Sequence, residues 1–330
     1  MNTFGRLFRI SILGESHGEC VGVLVDGCPA GQPLSEKDLL ADLGRRKSGR
    51  QGTTARMEED VPLIKGGVFN GKTTGAPVLI LFENKDTDPG AYERIKDTPR
   101  PSHADFVAFC KYGGYNDYRG GGAFSGRLTA GLVAAGVIAK MLIHPIEIEA
   151  NLTEVGGSDD IEGAVRSAIE NRDTVGGIVE CRAKGLPVGL GEPFFDSLES
   201  LLSHIVFSVP GIKGIEFGAG FAASKMAGSA YNDIILDIGG ATKTNNAGGI
   251  NGGITNGNEL LFRVAVKPAS GIQGKQQTVD LKTGKPAELV IGGRHDTCIA
   301  LRVPVIMEAV AAIVLADLMS IGRMMPAIVR

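Results

Sequence analysis

Residues 8–25 read FRISILGESHGECVGVLV. The alternation in Phe8–Leu13 predicts a half-buried strand, and the apolar run Cys20–Val25 predicts a second one. The glycine-bearing turn GESHG between them makes the pair a hairpin. A helix after that turn would point to a parallel, doubly wound sheet. A second strand points instead to antiparallel pairing. The rest of the chain mixes strands and helices without regular alternation, which favours an α+β fold built on antiparallel sheets.

Working outward, Ser35 and Asp38 predict a capped helix with Leu39, Leu40 and Leu43 on one face. Residues 76–83 (APVLILFE) predict a strand. Ser125 caps a helix running to about Ile143, small and apolar most of the way round and therefore buried. Shorter helices are expected at 163–171 and 198–207. Strands are expected at 177–184, 231–238, 260–267 and 288–291, and an apolar helix at 307–321. No tandem repeat or linker interrupts this order.

Glycine fills 48 of 330 positions, roughly twice average usage. Hydrophobic residues at 43% exclude a disordered chain, and no three-residue period suggests collagen, so the glycines must serve turns and close backbone approaches. A net charge of -3 argues against a nucleic-acid or membrane-surface binder. Five scattered cysteines without a CxxC pair argue against a disulfide framework or a structural zinc, and no metal is expected. The N-terminus lacks a signal-peptide core, and the apolar stretch 130–143 is too short to span a bilayer. These features predict a soluble cytoplasmic protein.

Three short motifs compete for the function. Gly66–Thr73 (GGVFNGKT) satisfies the phosphate-loop pattern and would make Lys72 a nucleotide ligand. That mechanism needs a helix after the loop, whereas a strand follows, so a hairpin turn is the plainer reading. Gly14–Gly18 satisfies the nucleophile-elbow pattern with Ser16 as nucleophile, but it too lacks the following helix. Gly218–Ala223 loosely matches a dinucleotide loop, a chance match in so glycine-rich a chain. A serine hydrolase using Ser16 and a nucleotide-binding module using Lys72 are the rival functions.

Other clusters carry more chemistry. Arg45, Arg46, Lys47, Arg50 and Arg56 form a one-sign group just past the first helix, suited to a small polyanion. Arg100-Pro-Ser-His103-Ala-Asp105 sets a cation beside an imidazole. Tyr118–Arg127 (YRGGGAFSGR) exposes backbone amides ahead of a helix N-terminus, a ledge for an anion or a ring. Asn245–Gly253 (NNAGGINGG) is a second amide-rich run, and Lys267-Pro-Ala-Ser270-Gly271 follows a strand. His295 and Asp296, beside Arg294, are acid–base candidates.

In this order and spacing, GESHG, YRGGGAFSGR and Gly293–Glu308 (GRHDTCIALRVPVIME), with the three stretches between, closely resemble the chorismate synthase family. The likeness covers essentially the whole chain and implies one domain over residues 1–330. It implies a sandwich of two antiparallel sheets with helices packed between them, assembled as a homotetramer. The implied reaction is a 1,4-anti elimination of phosphate from 5-enolpyruvylshikimate 3-phosphate to give chorismate. It requires reduced FMN without net redox change. By the same resemblance, Ser16, Arg45, Arg46, Arg50, Arg100, Arg127 and Arg294 would bind substrate. His17 would be the acid at the leaving phosphate, and Asp296 would assist removal of the C6 proton. His103, Ser125, Asn245, Lys267, Ser270, Gly271 and Arg294 would contact FMN, with His103 balancing charge at the ring. No reductase domain is visible, so reduced FMN would come from an external NAD(P)H-dependent source such as a flavin reductase. The chain departs from the family pattern at Ser102 (usually glycine), Gly126, Thr297, Lys47 and Gly271 (often a hydroxyl residue). The loop after Arg46 is also one residue short.

Overall fold

The structure, a computed structural model, describes residues 2–93, 95–292 and 295–329. Strands β1 (Thr3–Phe4), β2 (Arg9–Gly14), β3 (Cys20–Asp26), β4 (Leu63–Gly66) and β5 (Val78–Glu83) form one sheet in the order β1-β2-β3-β5-β4. Strands β6 (Glu147–Val155), β7 (Gly177–Lys184), β8 (Ile212–Phe217) and β9 (Leu260–Val266) form another in the order β8-β9-β7-β6. All pairings within both are antiparallel.

Register follows the two-residue period of each strand. Val21, Val23 and Val25 pair with Phe82, Ile80 and Val78, and all six are buried on one face. In the other sheet, Val179 pairs with Val264 and Cys181 with Phe262 on the core face. The opposite face carries a ladder of ion pairs: Glu180 with Arg182 and Arg263, and Glu259 with Arg182.

The helices are α1 (Glu36–Arg46), α2 (Asp105–Tyr112), α3 (Thr129–Leu142), α4 (Ile161–Glu170), α5 (Leu198–Val206) and α6 (Val303–Ile321). Helix α3 packs on β2, β3 and β5, α6 packs on β6 and β7, and the two helices pack on each other. Four layers result: sheet, helix, helix, sheet. Both helices are apolar nearly all round, as an element with neighbours on two sides must be. They cross at Gly136, where a Cβ would fall 2.3 Å from that of Ala309. Helix α6 and the turn before it (Ile299–Ile321) are long and apolar enough to cross a membrane, yet this stretch is mostly buried inside the protein.

Two buried carboxylates interrupt α6. Glu308 accepts both arms of Arg45, the ammonium of Lys140 and the backbone N–H of Ala150, joining α1, α3 and β6. Asp317 accepts three consecutive backbone N–H groups, from Arg6, Leu7 and Phe8.

Several sequence expectations shift. Leu40 is 47% exposed while Leu39 and Leu43 are buried, because one residue of helix turns it about 100° away. Residues 231–238 are not a strand. A helical turn at Gly228–Tyr231 leads to an exposed loop with one bridge, Ile235 to Thr242. Its β-branched residues have no neighbouring strand to pack against, and β-propensity counts for little alone. The strand expected at 288–291 is Pro286–Leu289, paired with Gln276–Val279. Helix α6 begins at Val303 rather than Met307, with Pro304 in its first turn.

Candidate active site

A cavity of about 580 Å³ opens between the first sheet's turns, the loop after α1 and the segment leading into α6. Among the described residues, eight lysine and arginine side chains and three carboxylates line it, so its field favours anions.

The GESHG turn joins β2 to β3 and buries Ser16 and His17. This is the hairpin geometry, so no helix N-terminus stands behind Ser16. Arg56 clamps the turn, donating to Ser16 Oγ at 2.8 Å and to Ser16 O at 2.9 Å, while Glu58 holds the same guanidinium at 2.6 Å. His17 stacks edge-on against Tyr92 with centroids 5.0 Å apart, and its Nδ1 has no hydrogen-bond partner. Burial, then the charges of Arg56 and Arg119, push its pKa down to about 4. Ser16 lines the cavity; His17, expected to be catalytic, does not, and lies buried behind Gly120 of the wall.

Gly120, Gly121 and Gly122 all have positive φ. A Cβ on Gly120 would sit 2.3 Å from His17 Nδ1, and one on Gly121 3.3 Å from His103 Cε1. Bare backbone is therefore needed where the turn approaches both imidazoles. His103 Nδ1 lies 2.6 Å from Asp105 Oδ1, and Arg100 grips the same carboxylate at 2.7 and 2.8 Å. Burial alone would raise Asp105, but those hydrogen bonds hold it far below the usual carboxylate range.

Arg46 and Arg127 reach the cavity from the end of α1 and from the turn before α3. Asp60, almost fully buried at φ +48°, bridges them, accepting from Arg46 at 2.8 Å and from Arg127. Burial would raise Asp60, and the two guanidinium groups outweigh it, so it stays ionised. Ser125 caps the turn, accepting the backbone N–H of Arg127.

At the far end, Lys267 donates to Ser270 Oγ at 2.8 Å, and Ser270 Oγ donates to Ser102 O. Burial, then nearby Lys213, lower the Lys267 pKa. Ser102 has φ +57°, a left-handed backbone that favours glycine. A Cβ on Gly271 would meet His295 Cγ at 2.9 Å, so a side chain here requires the His295 ring to move. Asp296 accepts the Thr54 N–H on one oxygen at 3.0 Å and Arg302 on the other at 2.7 Å.

The cavity thus gathers Ser16, Arg46, Arg100, His103, Ser125, Arg127, Lys267, Ser270, Gly271 and Asp296. It does not gather Arg45 and Arg50, which line a separate hollow of about 300 Å³ beside β6 and the start of α6. Asn245 holds its own turn, donating to Glu259 O and accepting from Gly249 N, away from the cavity. Arg294 lies outside the described residues. Asp60, Lys213 and Arg302 line the cavity without having been singled out from the sequence, and Arg56 was read only as one cation among five.

The two rival motifs take other shapes. Lys72 belongs to a hairpin, Val68–Phe69 with Lys72–Thr73, turned by Asn70 and Gly71 at positive φ. No group of three His, Cys, Asp or Glu side chains suited to a metal occurs among the described residues.

A family model described as chorismate synthase matches residues 8–320. A chorismate synthase of Chitinophaga pinensis is 62% identical over 320 residues, covering 97% of this chain and 96% of that protein. One from Methanocaldococcus jannaschii is 42% identical, covering 98% and 97%. A crystal structure of a chorismate synthase superposes with a TM-score of 0.75 at 26% identity, over 96% of this chain and 93% of that one.

Proposed function

The chain belongs to the chorismate synthase family, lyases that convert 5-enolpyruvylshikimate 3-phosphate to chorismate and phosphate, and we propose that it does so in the cavity between Arg46, Arg127 and Asp296. The observation that carries this assignment is the excess of cations lining a pocket large enough for a phosphorylated dicarboxylate. Arg46, Arg100 and Arg127 provide guanidinium forks for its anionic groups, and Ser16 adds a hydroxyl.

His17 is the acid at the leaving phosphate. In the free protein, burial and two arginines keep it neutral. A bound phosphate dianion reverses that local charge and raises its pKa, so the imidazole can supply a proton as the C–O bond breaks. Asp296 assists removal of the C6 proton, with its two oxygens oriented by Thr54 and Arg302.

The remaining wall fits reduced FMN. The glycine turn packs bare backbone against His17 and His103, and its Gly120 lines the cavity. Lys213 and Lys267 have no carboxylate partner among the described residues and suit a phosphate. His103, Ser125, Lys267, Ser270 and Gly271 would hold it. The chemistry that reduced FMN would supply there is a reversible loan of electron density, with no net redox change.

The protein works as a cytoplasmic homotetramer, with flavin reduced by an external NAD(P)H-dependent source. Supporting assembly, Phe195, Phe221, Ile235 and Ile238 are each more than 70% exposed. The deciding experiment is anaerobic incubation of the protein with 5-enolpyruvylshikimate 3-phosphate and chemically reduced FMN. Chorismate and phosphate should appear in equal amounts; folded protein that releases neither overturns the assignment.

A further inference from the structure

Arg127 is held at both ends of its guanidinium. Asp60 takes one terminal nitrogen, and Asn84 Oδ1 accepts from Nε at 3.0 Å. Asn84 is also engaged on its other side. Its amide nitrogen donates to Glu15 O at 3.0 Å and to Gly18 O at 2.9 Å, the two carbonyls that flank Ser16 and His17. Its backbone N–H donates to Glu19 O. One side chain, at the end of β5, thus spans the gap between an anion-binding arginine and the turn carrying the acid.

We infer that Asn84 is a positioning residue that sets the spacing between Arg127 and His17, with Asp60 as the fixed anchor at the arginine's other end. The inference rests on the assignment of His17 and Arg127 above. An amide suits this place because it offers an acceptor in one direction and two donors in the other. A carboxylate would keep the arginine and lose the turn. A leaving group must lie within hydrogen-bond reach of its acid while its charge is held elsewhere, so a shift of about 1 Å in that spacing can cost a hundredfold in rate.

Asn84→Asp separates the two arms, since it retains an acceptor for Arg127 Nε and loses both donors to the turn. We expect substrate affinity of the flavin-free protein, by calorimetry, to stay within about threefold of the original, while kcat falls about ten- to a hundredfold. In a His17→Ala background the same change should lower kcat by less than about threefold, because the group being positioned is gone. A structural residue would instead lower activity by the same factor in both backgrounds. Asn84→Ser, which loses both arms, carries the same cycle if the aspartate variant does not fold. Unchanged kcat, or equal losses with and without His17, overturns the inference. Unmodified protein that fails to turn over the substrate overturns the assignment beneath it instead.

Discussion

Asp60 and Glu308 are both buried carboxylates that bridge two cations, and α1 supplies one cation to each through neighbouring residues, Arg46 and Arg45. Glu308 is saturated. One oxygen accepts from Arg45 and from Ala150 N, the other from Arg45 and Lys140. Its cations are spent on joining layers. Asp60 takes one bond from each arginine and leaves donors over, including a buried Arg46 Nε without a partner. A carboxylate that uses up its cations makes a joint. One that only aligns them, beside a cavity, makes an anion site.

The largest effect expected from that contrast falls on Arg127→Met. Truncating one member of a buried, hydrogen-bonded charge pair should lower kcat/KM by about 10²–10³-fold, read in steady-state kinetics with reduced FMN. Glu308→Gln should instead cost stability, about 3 kcal/mol in urea unfolding, with KM within about threefold of the parent. Arg45→Met is the sharper probe because the sequence expectation gave it a substrate role. It should lower stability and leave KM nearly alone; a KM rise matching that of Arg127→Met would break the contrast.

The smallest effect concerns His17. Its folded pKa, about 4, lies below the ordinary 6.5. The unfolded chain therefore takes up this proton first, and the contribution to stability is full above 6.5 and is lost as pH falls toward 4. Unfolding midpoints compared at about pH 7 and pH 5 should converge in His17→Gln relative to the parent. Equal slopes in the two proteins would show that His17 is not held neutral.

The frame was readable because its signals are local. The hairpin at 8–25 and the all-round apolar helices α3 and α6 each state their own environment. The glycine-rich and cationic stretches also marked most of the cavity wall. Arg45 and Arg46 were both expected at the substrate, and the sequence carries a signal that separates their positions. Arg46 follows buried Leu39 by seven residues and Leu43 by three, so it shares their inward face, while Arg45 is turned aside. Asp60, Asn84 and Arg302 left no comparable mark. Asp60 and Asn84 are ordinary in their own segments and take their place only through Arg127, 67 and 43 residues further on, whereas Arg302 pairs with Asp296 in its own segment. The segment at 231–238 failed for the opposite reason, a strong local propensity with no neighbouring strand to answer it.

The cavity wall draws on residues from Ser16 to Ile306, supplied by the turn between β2 and β3, by β8 of the other sheet and by both central helices. A polyanion seated there is gripped at once by segments hundreds of residues apart, and it works as a reversible staple across the sandwich. Whatever binds the native wall and not the open chain adds to the cost of unfolding, by about 2.7 kcal/mol when present at a hundred times its Kd. The melting temperature of this protein should therefore report the cell's supply of its own substrate, and a starved pathway should leave behind a looser enzyme.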